Sequence, residues 1–183
     1  MHFPARVITR RTVLRAWRDE DGPLLKAALD HNKAHLMPWV PWATGEDTPL
    51  EEAKARVALF AADFAAGKHW LYAVMSPDER QVIGGVGLHD RVGPGSLEVG
   101  YWIDRDHLHQ GLATEVAGAI TALGFGWPTL ECLEMHVDTR NRASARVPER
   151  LGYSLAKVRQ QPAKPGREEM VSIMIWRLRR EER

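Results

Sequence analysis

The stretch YWIDRDHLHQGLATEVAGAI, residues 101–120, carries the change of structure on which the reading turns. Tyr101, Trp102 and Ile103 close a run rich in strand-forming residues, and a short polar turn follows. Gly111-Leu112-Ala113-Thr114 then opens a helix whose apolar face continues through Val116, Ile120, Leu123 and Trp127. Small residues at such a junction let the backbone approach a ligand. The first N–H groups of the helix lack partners within it and carry partial positive charge, so an anion can be held without a lysine. The same residues also suit an ordinary strand-to-helix connection with a glycine for the turn. The segment fits neither GxxxxGK[ST] nor GxGxxG.

Working outward, Val13 to Trp17 reads as an opening strand, and a helix is expected from the acidic turn Arg18–Asp21 to about His31, with Leu24, Leu25, Ala28 and Leu29 at helical spacing. LMPWVPWA, residues 36–43, is a turn set by its two prolines. Thr48-Pro49-Leu50-Glu51 reads as a capping box opening a second helix, which Ala53, Val57, Phe60, Ala61 and Phe64 continue and Gly67 ends. Residues 70–75, 81–89 and 96–104 form three strands of a meander, with SPDER and DRVGPG as turns. A strand over 133–138, a helix over 143–151 and strands over 153–159 and 171–178 complete an α+β chain.

The length of 183 residues suits a single domain over 1–183, with its core from about residue 13 to 178. Net charge is +1, from 25 Lys+Arg against 24 Asp+Glu, which leaves no basic excess for nucleic acid. Seven tryptophans and 44% hydrophobic residues exclude a disordered chain. A lone Cys132 cannot form an internal disulfide, so a reducing compartment is expected. No stretch approaches the ~20 apolar residues of a membrane span, and MHFPARVITRR carries no apolar leader core. A cytoplasmic location follows as the expectation.

EVGYWIDRDHLHQGLATE, followed by VDTRNRASARVPERLGY, resembles the GNAT superfamily of N-acetyltransferases, and within it the RimJ/RimL-type branch. The superfamily's phosphate loop is written Q/R-x-x-G-x-G/A. Gly111-x-Ala113 fits its second half, while Leu108 departs from its first position. LMPWVPWA also resembles the branch. The resemblance implies a central mixed, mostly antiparallel twisted sheet of about six or seven strands flanked by helices, with one splayed pair of parallel strands. It implies acetyl-CoA as co-substrate, direct transfer to an amine, and no metal.

On the same resemblance the pyrophosphate would lie on the amides of His109, Gln110, Gly111, Leu112, Ala113 and Thr114. The pantetheine would run along Tyr101, Trp102 and Ile103, and Asn141 would face the cofactor arm or the acceptor. Glu98 is the expected general base, with a surface glutamate in a salt bridge as its other reading. It shares a strand face with Gly100 and Trp102, and a carboxylate on an otherwise apolar face is expected to hold its proton more tightly than usual. Many members place a tyrosine where this chain has Pro148, so Ser144 is the candidate acid for the leaving thiolate, with helix capping as its other reading. Trp39 and Trp42 are either core anchors or the apolar lip of the acceptor pocket. Tyr153 is read as packed, and His136 as packed or as a second base. His107 and His109 are read as solvated turn residues, not a metal pair. Cys132 has no neighbour that would activate it, and the tail 177–183 mixes charges as a solvated end does.

The acceptor is expected to be a protein N-terminal amine or a small-molecule amine, with a non-catalytic acyl-CoA-binding domain as the alternative. Dimerisation is common in the branch, but no residue here derives it.

Overall fold

The computed structural model describes residues 2–40, 42–43, 45–163 and 168–182. Among them, eight strands form one sheet: β1 (Arg6–Ile8), β2 (Val13–Ala16), β3 (His69–Met75), β4 (Val82–Gly93), β5 (Ser96–Ile103), β6 (Cys132–Asp138), β7 (Ser154–Pro162) and β8 (Met170–Arg179). Their spatial order is β1-β2-β3-β4-β5-β6-β8-β7, and the β5–β6 pair alone is parallel. Four α-helices flank the sheet: α1 (Gly22–Leu36), α2 (Leu50–Ala66), α3 (Leu112–Phe125) and α4 (Arg142–Arg150).

Alternation along the strands sends apolar side chains to two cores. Leu97, Val99 and Ile103 of β5 meet Leu112, Val116 and Ile120 of α3 in the larger one. Ala73 and Met75 of β3 meet Leu25 and Leu29 of α1 and Val57 of α2 on the opposite face. Burying each such Leu, Ile or Val removes enough apolar surface from water to contribute roughly 1.5–3 kcal/mol.

Several boundaries differ from the sequence reading. The strand count rises to eight because β1, three residues long, pairs only with β2 and has too little pattern to be read. The acidic turn Asp19–Asp21 forms a separate 3-10 turn, since the Asp21 carboxylate is held by both Arg15 Nη atoms and the Arg18 amide. Helix α1 therefore starts at Gly22, and it runs on to Leu36 because buried Asn32 and Leu36 prolong its inner face. The expected capping box at Thr48 does not form. Pro49 is the N-cap and makes no side-chain cap bond, while the Thr48 amide donates to Asp30 Oδ1 at 2.6 Å. Strand β4 continues to Gly93, which reduces the expected DRVGPG turn to Pro94 and Gly95, with Gly95 at φ 71°. Part of the LMPWVPWA turn, Pro41, and the tail residue Arg183 lie outside the described residues.

One feature of the sheet positions the site. The parallel ladder of β5 and β6 stops after Ser96–Cys132, Leu97–Leu133 and Glu98–Glu134. Strand β5 then follows β4 as far as Ile103, and β6 follows β8 as far as Asp138, so the two strands part. The β5 edge beyond Glu98 is left without a strand neighbour on that side.

Candidate active site

The parting of β5 and β6 opens the sheet, and a cleft of about 1780 Å³ lies there. Side chains from both faces line it. Glu98 and Trp102 come from the face that carries α1 and α2. Tyr101, with Asn141 just before α4 and Ser144 within it, comes from the other. Glycines shape the floor. A Cβ at Gly85 would lie 2.5 Å from the Trp102 indole nitrogen, and one at Gly100 would lie 3.0 Å from His89 Nε2. These two positions let an indole and an imidazole lie flat on the strands.

Basic and acidic side chains alternate along the cleft floor. Arg91 donates to Glu98 through Nε and Nη2 at 2.7 and 2.6 Å. His136 Nδ1 stands 3.3 Å from the Glu98 carboxylate, and its Nε2 stands 2.8 Å from Glu134. Arg177 holds the far oxygen of Glu134. The row reads Arg91, Glu98, His136, Glu134, Arg177. Sheet register creates it, because Glu98 faces Glu134 across the parallel pair and Glu134 faces Arg177 on β8.

This row overturns the expectation that Glu98 holds its proton tightly. Burial, the largest influence, favours the neutral acid, but the Arg91 hydrogen bonds and the nearby cations outweigh it. The carboxyl stays below its ordinary range. Glu134 is lowered in the same way, with His136 and Arg177 overcoming its burial. His89 is the counterpart: burial, then the Arg91 charge, brings it down to about 4.

On the other face the Tyr101 hydroxyl lies 2.9 Å from Ser144 Oγ and 3.0 Å from the Ser144 carbonyl oxygen. Burial pushes the Tyr101 phenol up to about 12, against the lowering effect of Ser144. Asn141 Oδ1 caps α4 by accepting the Ser144 amide at 3.0 Å. Asn141, not the Ser144 hydroxyl, is thus the cap, and that hydroxyl is directed to Tyr101. Tyr153 is packed, with its hydroxyl on Thr121.

The loop before α3 has left-handed backbone at His109 (φ 60°) and Gly111 (φ 77°), the latter being the N-cap. Left-handed residues in such a turn gather successive N–H groups into an anion-binding concavity. Gly111 is exposed, while Leu112 is buried in the core and anchors the helix start. Ala113 and Thr114 are half-buried in its first turn, and Gln110 is exposed. Ile103 is buried at the end of β5. The cleft is lined by Tyr101 and Trp102 but not by residues 109–114, so cradle and cleft are neighbouring features on the same β5–α3 connection.

Trp39 and Trp42 stand at the cleft lip, 38% and 42% exposed, with the Arg56 guanidinium 5.4 Å over the Trp42 ring. His107 Nδ1 stands 3.2 Å from Asp104 Oδ1. Among the described residues, the group able to bring three ligand atoms together is His31, Asp104 and Asp106, whose atoms lie within 4.8 Å of one another. Among the described residues, no helix is long and apolar enough to cross a membrane.

Sequence reasoning missed Arg91, Glu134 and Arg177. A signal was present: Glu134, His136 and Asp138 alternate along a strand otherwise made of Leu, Met and Val, which marks one polar face of an interior strand.

The family model for the acetyltransferase (GNAT) domain matches residues 11–154. The chain belongs to the GNAT acetyltransferase family. The uncharacterised N-acetyltransferase YoaA of Bacillus subtilis (strain 168) is 25% identical to this GNAT enzyme over 154 residues, covering 84% of this chain and 85% of YoaA. Among solved structures, Mycobacterium smegmatis RimJ in complex with CoA-disulfide has a TM-score of 0.86 at 18% identity, over 100% of this chain and 91% of that one. The ribosomal-protein-S5-alanine acetyltransferase of Vibrio fischeri has a TM-score of 0.84 at 17% identity, over 98% of both chains. The likeness to these two RimJ/RimL-type structures is one of fold.

The residues fit a CoA molecule on two observations. A Cβ at Gly111 would meet nothing closer than Arg11 Nη2 at 3.9 Å, so the cradle is open to a phosphate. The free edge of β5 offers backbone groups to the amides of an extended arm.

Proposed function

We propose that this enzyme transfers the acetyl group of acetyl-CoA directly to a primary amine, and that its acceptor is the N-terminal amine of a polypeptide. The observation that carries the reading is the parting of β5 and β6 beyond Glu98 and Glu134. It lets groups on opposite faces of one sheet work on a single reacting centre. Acetyl-CoA supplies the activated thioester; binding, proton removal and proton return fall to the chain.

The N–H groups of residues 109–114 hold the diphosphate, and Tyr101, Trp102 and Ile103 guide the arm along the open β5 edge. Glu98, ionised, attracts the acceptor ammonium from the α1–α2 side. The proton leaves to the Glu98–His136 pair, directly or through a water. A neutral imidazole between two carboxylates can donate to one of them, whereas a doubly protonated ring donates to both, so the pair has a place for the proton it receives. On the far face Ser144, oriented by Tyr101, gives its hydroxyl proton to the leaving thiolate and regains one from water, as the Glu98–His136 pair releases the amine's proton to water.

The cleft favours a large acceptor. Its volume of about 1780 Å³ is shared between the cofactor arm, along Tyr101 and Trp102, and the acceptor. Met37, Trp39, Trp42 and Leu59 add an apolar rim that a peptide's first side chains can cover. A small-molecule amine is the second reading, supported by the charged floor. The presence of Pro148 where many relatives carry a tyrosine supports a non-catalytic acyl-CoA-binding domain as the rival.

A thiol-release screen with acetyl-CoA, over N-terminal peptides and small amines, tests all three. Release with peptides is the expected result. Release only with small amines moves the acceptor class, and CoA-induced thermal stabilisation without any release favours the rival.

A further inference from the structure

The phosphate loop lacks a basic or amide side chain at its first position. Residue 108 is leucine, half-buried against the main core. A charge reaches the same place from the turn between β1 and β2. Arg11 Nη1 donates to the Gln110 carbonyl at 2.8 Å, inside the loop. Its Nε donates to Glu115 Oε2 at 2.8 Å, and its backbone N–H to Glu115 Oε1 at 2.8 Å. Thr9 Oγ1 donates to the same Oε1 at 2.8 Å. Nη2 has no hydrogen-bond partner among the described residues, and it stands 3.9 Å from the point a Gly111 Cβ would occupy.

We propose that Arg11 is the cation of this phosphate cradle: it clamps the loop through Gln110 and presents Nη2 to a diphosphate seated on the first turn of α3. The inference rests on the acetyl-CoA reading above and extends the binding site to a residue outside the loop. Two arguments support it. Glu115 lies in the first turn of α3, where a carboxylate suits the helix dipole but repels an incoming anion. Arg11 neutralises that carboxylate. The guanidinium is also fixed by Nε and Nη1 before any ligand arrives, so little side-chain freedom remains to be lost on binding. Leu108 can then serve the core while the cation comes from elsewhere in the chain.

Calorimetric titration of CoA into the wild-type enzyme, Arg11→Gln, Arg11→Lys and Arg10→Gln tests the assignment, with a thermal melt of each to establish folding. Losing a charge-assisted contact predicts that Arg11→Gln weakens CoA binding roughly tenfold to a hundredfold. Arg11→Lys recovers part of this loss, and Arg10→Gln, which removes the neighbouring exposed charge, changes nothing. Turnover of acetyl-pantetheine, which carries no diphosphate, separates contact from distortion: its kcat/KM falls less than about twofold in Arg11→Gln. Equal CoA affinity in wild type and Arg11→Gln overturns the inference alone, as does a fall in acetyl-pantetheine kcat/KM as large as the loss of CoA affinity. A wild-type enzyme that takes up no CoA overturns the acetyl-CoA reading, and this inference with it.

Discussion

The Tyr101 hydroxyl donates to the Ser144 carbonyl oxygen at 3.0 Å and stands 2.9 Å from Ser144 Oγ. One phenol proton serves both contacts, and when it turns to Oγ the serine keeps its own proton for the cleft. Helix α4 and strand β5 are thereby joined where the cleft meets the α3–α4 face. If Ser144 returns the proton to the thiolate, Ser144→Ala lowers kcat by roughly 10²-fold. Tyr101→Phe, which removes one orienting hydrogen bond, lowers it by roughly tenfold. The double variant loses no more than Ser144→Ala alone, because both substitutions act through one hydroxyl. Steady-state kinetics on the three variants, with CoA affinity measured alongside, checks the ordering.

Glu98 is ionised and doubly bonded to Arg91, and in the proposed mechanism it gathers positive charge at the cleft floor. Glu98→Gln retains the shape but loses that pull and half of the Glu98–His136 pair. A fall in kcat of roughly 10²–10⁴ is expected near neutral pH, with CoA affinity preserved. His136→Gln, which removes the contact to the Glu98 carboxylate, should lower kcat in the same direction with CoA affinity preserved. A Glu98→Gln enzyme with the wild-type pH–rate profile would remove the carboxylate from the reaction.

His89 predicts an acid-sensitive fold. Its folded pKa of about 4 lies below the unfolded value near 6.5, so below about pH 6.5 the unfolded chain binds a proton that the folded chain refuses. Stability therefore falls as pH drops from about 6.5 towards 4, by up to about 3 kcal/mol for this group. The lowered carboxyls of Glu98 and Glu134 act in a more acidic window. Their contribution is complete above the ordinary carboxylate range and is lost as pH falls through their folded values. Denaturant titrations at several pH values should show wild type losing stability between pH 6.5 and 4, and His89→Gln losing less over that interval.

The strand–loop–helix junction was legible because Gly111, Ala113 and the 116/120/123 stripe report their conformation locally. Glu98 could likewise be placed on one face of β5 by counting in twos. Its protonation state could not. Arg91, His136 and His89 reach it through strand register and a β4 extension that residues 90–93 do not announce. Thr48 misled for a related reason: the Asp30 carboxylate, remote in sequence, takes the Thr48 amide and shifts the cap to Pro49. Residues whose partners lie within one turn were read, and those whose partners come from another element were not.

Gly111 separates the ligand's requirements from those of the fold. At φ 77° a residue with a Cβ strains the backbone by roughly 1–2 kcal/mol, yet the nearest atom to that Cβ is 3.9 Å away, so a side chain has room to project outward. Gly111→Ala should thus melt slightly below wild type and weaken CoA binding only modestly. Gly111→Arg carries the same backbone strain, and its side chain fills the space above the helix N-terminus. A melting temperature close to that of Gly111→Ala is expected, together with loss of the stabilisation that saturating CoA confers on wild type. Thermal shifts of the three proteins with and without CoA check this. If CoA still protects Gly111→Arg as it protects wild type, the diphosphate is seated away from residues 109–114, and the first turn of α3 is only a helix start.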